Sequence, residues 1–84
     1  MSDLEFDLLD ELYFVTPYSE LLKQTRLTES ELLEGLQILF LKGWVKCFTS
    51  VSEELDGDQV DLPNRFKDYY YLASKEGLLA HNRI

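Results

Sequence analysis

The period of the apolar residues changes at Gly43, and this change constrains the fold more than any other feature of the chain. Before Gly43, leucines recur every three or four residues, which is typical of amphipathic helices. After Gly43, apolar and polar residues alternate over several positions, which is typical of strands. The sequence therefore predicts an α+β domain that begins with helices and continues with a hairpin of strands.

Two capping boxes mark where helices begin. Ser2 with Glu5 starts the first helix, and Thr28 with Glu31 starts the third, because each hydroxyl residue is followed three positions later by a glutamate. Gly43 is expected to end the third helix as the residue that follows its cap.

A proline separates the first two helices. Thr16-Pro17 is expected to end the first helix, whose apolar stripe reaches Val15, and to start the second over residues 17–25. The apolar arc of the first helix is wider than one helix in a small core usually needs. Three residues that flank its stripe are candidates for contact with a second copy of the chain, although a small domain could also bury them: Phe6, Leu9 and Tyr13.

The second half reads as a hairpin followed by a short helix. We expect one strand over residues 44–51, a polar loop over 52–64 and a returning strand over 66–72. Ser74 is expected to cap the final helix.

Composition indicates a single domain over residues 1–84. The chain is 45% hydrophobic, with no linker or internal repeat, and a chain of this length buries only about 60% of its unfolded surface. Its apolar runs, such as 38–41, are far shorter than the roughly 20 residues that cross a bilayer, and its acidic start lacks the basic region of a signal peptide. A cytoplasmic location is expected.

Two segments resemble the winged helix-turn-helix domains of small prokaryotic transcription regulators. The first runs from Tyr18 to Leu33 and continues to Lys42-Gly43-Trp44-Val45, and the second is Tyr70–Gly77, an aromatic strand followed by Ser74 and a glycine three positions on. Ala73 departs from the pattern, which has a larger aliphatic residue there. The resemblance implies a three-helix core, a two-stranded wing hairpin and a short carboxy-terminal helix, with the third helix and the wing contacting the partner.

The charge of the chain opposes the DNA binding that is usual in this family. Sixteen acids against eight bases give a net charge of −8. The amino-terminal half of the third helix carries Glu29, Glu31 and Glu34 and no base, where DNA-binding members place bases near phosphates. A carboxylate at about 10 Å from a phosphate in water costs about 0.4 kcal/mol. The wing adds five more acids: Glu53, Glu54, Asp56, Asp58 and Asp61.

The chain has few bases. Its net negative charge also disfavours nucleic acids and anionic membranes as partners, because like charges repel. Four bases could collect near the base of the hairpin, but a solvated strand face is the favoured interpretation: Lys42, Lys46, Arg65 and Lys67.

The outer face of the third helix combines acids with aliphatic residues, which suits a protein partner with a basic surface better than a groove of phosphates. The predicted partner-binding residues are Ser30, Glu31, Glu34, Gln37, Ile38 and Leu41. For the two aliphatic residues, the alternative is that the first helix or the carboxyl terminus covers them. The sequence therefore predicts a non-catalytic protein-interaction module. A DNA-binding transcriptional regulator is the alternative, and an acidic mimic of DNA is a further one.

No arrangement of residues predicts catalysis or metal binding. His81 is the single histidine, has no second ligand at helical spacing and is expected at the surface. Cys47, the single cysteine, is expected in the core. The aspartates of 56–61 lack the central glycine and closing glutamate of a calcium loop. We expect no enzymatic activity, no cofactor and no metal.

Overall fold

Residues 1–83 are described by the computed structural model, and within them five α-helices accompany a four-stranded antiparallel sheet. Two 3₁₀ turns, Gly57–Gln59 and Phe66–Asp68, lie on either side of the fourth helix. In chain order the elements are α1 (Asp3–Asp10), β1 (Thr16–Pro17), α2 (Tyr18–Thr25), α3 (Glu29–Leu41), β2 (Val45–Ser50), β3 (Glu53–Glu54), α4 (Leu62–Arg65), β4 (Tyr70–Ala73) and α5 (Lys75–His81).

Both predicted capping boxes are present, and α3 begins and ends as predicted. The Thr28 hydroxyl accepts a hydrogen bond from the Glu31 amide at 3.2 Å, and the Glu31 carboxylate accepts one from the Thr28 amide at 3.0 Å. Gly43 has a φ of +74°, a left-handed conformation that costs glycine little and lets the chain turn from α3 into β2.

The first helix is shorter than predicted. It ends at Asp10 rather than near Val15, because the main chain beyond it bonds to the sheet instead of continuing the helix. The carbonyl of Leu12 accepts a hydrogen bond from the Ala73 amide at 2.9 Å, and Thr16 lies opposite Tyr71 in the β1–β4 ladder. Strand β1 was missed because Thr16-Pro17 reads as a helix boundary.

The sheet also differs from the predicted two-stranded hairpin. Its strand order is β1-β4-β2-β3, so β2 is flanked by two antiparallel neighbours. The returning strand predicted over 66–72 lies at Tyr70–Ala73, and a 3₁₀ turn precedes it. A register shift between Phe48 and Ser50 breaks the alternation of β2, which leaves the successive residues Cys47 and Phe48 both buried and Val51 67% exposed.

One cluster of buried side chains joins the helices to the sheet, with contributions from α1, α2, α3, α4, β2 and β4. The side chains with 0% exposure are Leu8, Leu9, Leu12, Leu21, Leu32, Leu36, Leu39 and Tyr71. Within residues 1–83, no helix combines the length and the apolar character that a bilayer span requires.

The packing of α5 against α1 corrects two predictions. Leu9, a predicted contact with a second copy, is fully buried, so it belongs to the core of its own chain. His81, predicted at the surface, is only 9% exposed. Its ring stacks on Phe6 with 4.3 Å between centroids, and the Tyr13 hydroxyl lies 3.0 Å from its Nδ1. These aromatic residues therefore join the two ends of the chain, although Tyr13 remains 41% exposed.

Candidate functional site

An open groove of about 500 Å³ lies between α3 and the segment that leads into α4, and we call it the α3 groove. Most of its lining is apolar. Leu41 is 84% exposed, which is exceptional for a leucine in a domain where eight other side chains are completely buried. The lining residues are Glu34, Gln37, Ile38, Phe40, Leu41, Val60, Leu62 and Pro63.

The wall of the groove is built by a segment that the sequence predicts as an irregular loop. Leu62 anchors it, because this side chain is only 4% exposed and packs in the core. Pro63 suits the first turn of α4, where its missing N–H is not needed. The Asp61 amide donates to the hydroxyl of Tyr69 at 2.9 Å, and the Tyr71 hydroxyl donates to the carbonyl of Phe66. Two tyrosines next to and within β4 thus hold the wall against the sheet.

Four of the six predicted partner-binding residues line the groove: Glu34, Gln37, Ile38 and Leu41. Ser30 and Glu31 are exposed at the amino end of the same helix but do not line it. The prediction missed Phe40 and the whole opposite wall, Val60, Leu62 and Pro63. The signal that could have found this wall is the pair of apolar residues at 60 and 62 followed by a proline, inside an otherwise polar stretch.

Replacing Tyr69 with phenylalanine is expected to loosen this wall. The Asp61 amide would lose its acceptor, and the free energy of unfolding should fall by about 1 kcal/mol. Hydrogen exchange measured by NMR should show faster exchange of the Asp61 amide than in wild type. Tyr70→Phe is the matched control, since that side chain is half-buried on the other face of the strand. Unchanged exchange at Asp61 in Tyr69→Phe would contradict this role.

The glutamates of α3 differ in what they contact. Glu29 accepts from the Lys67 ammonium at 2.8 Å and from the Tyr18 hydroxyl at 3.2 Å, and the bond to Lys67 is the main reason that its pKa is lowered. Burial, together with Glu29, raises the pKa of Tyr18 to about 12. Hydrogen bonds from Thr28 lower the pKa of Glu31.

Glu34 differs from the other two glutamates of this half of the helix. Within residues 1–83 neither Glu31 nor Glu34 has a basic side chain within 4.0 Å, but the Glu31 carboxylate accepts from the Thr28 amide, whereas Glu34 lies on the groove. Glu34 is therefore the α3 carboxylate whose charge faces the groove.

The five acids predicted at the wing tip are divided between two places. Glu53 and Glu54 form β3, where Glu54 lies 3.6 Å from Lys46. The hairpin closes at residues 51–52, so the predicted tip over 52–64 is wrong. The three aspartates, Asp56, Asp58 and Asp61, lie instead in the segment that leads to the groove wall. The burial of Leu55 and Leu62 holds this segment against the domain.

The four bases near the hairpin are each paired with a separate carboxylate. Lys42 bonds to the buried Glu5 and lies over the Trp44 ring, 4.6 Å from its centroid. Burial would raise the pKa of Glu5, but bonds from Lys42 and Ser2 together lower it below its usual value. The other pairs are Lys46–Glu54, Arg65–Asp68 and Lys67–Glu29, so these bases do not form a basic patch.

The residues capable of nucleophilic or metal chemistry lie apart from the groove. Cys47 is 1% exposed, and burial raises the pKa of its thiol to about 12, which keeps it protonated. His81 Nε2 lies 3.4 Å from Asp10 Oδ1 on the α1–α5 side. Across residues 1–83, no three side chains of His, Cys, Asp or Glu converge as metal ligands would.

Comparisons of the chain with models of protein families, with curated proteins and with solved structures found no match. The function is therefore argued from the geometry and charge of this domain.

Proposed function

We propose that this chain is a non-catalytic winged-helix module that binds a protein partner through the α3 groove and the acids beside it. The single observation that carries the proposal is the exposure of Leu41 at 84%, on a groove whose lining is mostly apolar. An exposed apolar surface with polar residues around it is typical of protein–protein contact sites.

The order of the elements supports the winged-helix part of the proposal. Helices α2 and α3 are joined by the three residues 26–28, the spacing of a helix-turn-helix. Gly43 follows Lys42, the residue that caps α3, and β2 begins at Val45. Ser74 caps α5 by accepting from the Gly77 amide at 3.1 Å, as expected for the closing element of the family.

The charges support a protein rather than DNA as the partner. A DNA-binding helix needs unpaired bases near the phosphates, but Lys67, which contacts the first turn of α3, is paired with Glu29. Glu34 faces the groove, and the exposed Glu53 and Glu54 occupy the hairpin. The partner is expected to present a basic surface around an apolar centre.

The test is the variant Leu41→Ser. A partner is first captured from cell extract by cross-linking, identified by mass spectrometry and purified, and its affinity is then measured by calorimetry. We expect Leu41→Ser to weaken binding at least about tenfold, because apolar residues at the centre of an interface contribute most of its energy. The free energy of unfolding should change by less than about 0.5 kcal/mol, since the side chain is exposed.

Val51→Ser is the matched control, because Val51 is a similarly exposed aliphatic residue, at 67%, in the turn after β2. It should bind as wild type does. Full binding by Leu41→Ser would contradict the proposal. So would an affinity for duplex DNA that falls steeply between two salt concentrations, the behaviour of a transcriptional regulator. Displacement of the partner by duplex DNA would indicate a mimic of DNA instead.

A further inference from the structure

The lining of the α3 groove is suited to binding a helix. Four of its lining residues lie at helical spacing along one side of α3: Glu34, Gln37, Ile38 and Leu41. From residue 34 to residue 41 the helix axis rises about 10 Å, or two turns. A partner that packs along this stripe therefore contacts it over two to three turns of its own, with apolar residues at the i, i+3 or i+4, and i+7 positions.

The main chain around the groove argues against an extended peptide. A peptide that binds as an added strand needs unpaired N–H and C=O groups along a sheet edge. Here one wall is the helix α3, whose main-chain bonds are internal, and the other is tied by the Arg65 amide to the Asp61 carbonyl at 2.8 Å and by the Asp61 amide to Tyr69. Recognition in this groove therefore depends on side chains.

The charge around the groove determines the sign of the charge that its occupant carries. Glu34 is the charged residue of the lining, Glu31 is exposed one turn before it, and Asp58 and Asp61 lie on the chain that leads into the opposite wall. Lys42, next to Leu41 in sequence, is directed to Glu5 and Trp44. Arg65, in α4, lies 4.0 Å from Asp68. The net field at the groove is negative, in a chain whose total charge is −8.

We propose that the occupant of the α3 groove is a basic amphipathic helix of a partner protein, with its apolar stripe in the groove and lysines or arginines facing Glu34 and the flanking acids. This inference rests on the proposed function. A second copy of the chain does not fit, because two surfaces of the same strongly negative charge repel each other and α1, the exposed amphipathic helix at the start of the chain, carries Asp3, Asp7 and Asp10 on its outer side. An anionic membrane is repelled for the same reason.

The experiment uses three synthetic peptides of about 14 residues, long enough for nearly four helical turns. The first contains leucine and lysine in the helical period, the second has the same composition in strict alternation, and the third replaces every lysine of the first with glutamate. Affinity is measured by fluorescence anisotropy and the bound surface by NMR chemical-shift changes in the intact chain. The alternating peptide has the charge of the first without its helical stripe, so it measures non-specific attraction.

We expect the helical lysine peptide to bind at least about tenfold more tightly than the alternating peptide, and the glutamate peptide not to bind. Shift changes should lie at residues 34–41 and 60–63. Leu41→Ser should weaken binding about tenfold and Glu34→Gln about threefold, whereas Asp7→Asn, which removes an exposed charge of α1, should leave it unchanged.

Equal binding of the helical and alternating peptides, or equal effects of Glu34→Gln and Asp7→Asn, would overturn the inference in favour of non-specific attraction. A concentration-dependent dimer in sedimentation that Leu41→Ser dissociates would identify a second copy as the occupant. Failure of the lysine peptide, combined with a cellular partner that still requires Leu41, would overturn the basic helix alone and leave the proposed function standing. A partner that does not require Leu41 would overturn both.

Discussion

Gly77→Ala is expected to lower the free energy of unfolding by at least about 3 kcal/mol, a large part of the roughly 4–13 kcal/mol expected for 84 residues. A β-carbon at this position would overlap the carbonyl oxygen of Trp44 and lie 3.1 Å from its carbonyl carbon. A main-chain group cannot rotate away as a flexible side chain can. The substitution would therefore separate α5 from the turn between α3 and β2.

The surrounding hydrogen bonds explain why neither segment can shift to relieve this overlap. The Ser74 amide donates to the Trp44 carbonyl at 2.9 Å, and the Ser74 hydroxyl donates to the Gly43 carbonyl at 2.6 Å. The Gly77 amide donates to the same hydroxyl. Gly57→Ala is the matched control, because a β-carbon there meets nothing within 4 Å, and it should be neutral within about 0.5 kcal/mol. Urea denaturation of both variants gives the comparison, and equal stabilities would contradict the packing described.

Tyr71→Ala is expected to have the second large effect, a loss of about 3–5 kcal/mol in the free energy of unfolding. Tyr71 is the largest side chain with 0% exposure, and it lies opposite Cys47 in one neighbouring strand and Thr16 in the other. Its hydroxyl donates to the Phe66 carbonyl, and burial is the main reason that its pKa is raised far above the usual value. Removal of the ring leaves a cavity where β1, β2 and the turn before β4 meet.

Two further variants separate the contributions of this residue. Tyr71→Phe keeps the ring and should cost about 1–2 kcal/mol through the lost hydrogen bond. Tyr70→Ala removes a half-buried ring from the other face of the same strand and should cost clearly less than Tyr71→Ala. Thermal denaturation followed by circular dichroism gives all three values. Similar losses for Tyr70→Ala and Tyr71→Ala would show that the alternation of the strand does not decide which tyrosine supports the core.

The acidic character of the groove follows from how the bases are used elsewhere. Lys42 compensates the buried Glu5, and Lys67 compensates Glu29, so these two bases stabilise the fold instead of facing the groove. Glu34 keeps its charge unpaired among the residues that the structure describes. The net charge of the sequence therefore does not reveal that the groove is a surface of negative potential with few bases near it.

The start of every long helix could be predicted from the sequence, because it depends on contacts within three or four residues. Thr28 and Glu31 cap α3 whatever the rest of the chain does, Ser74 caps α5, and Gly43 permits the left-handed turn after α3. The candidate residues on α3 were found for the same reason, since helical spacing alone puts Glu34 and Leu41 on one side.

The features that join distant parts of the chain depend on tertiary contacts. The early end of α1 depends on the bond between the Leu12 carbonyl and the Ala73 amide, and the burial of His81 depends on Phe6. The second wall of the groove exists because Leu62 reaches the core, which folds a polar segment over α3. Such contacts between residues far apart in the chain leave no local pattern of spacing, because the partners of each side chain are set by how the elements pack together.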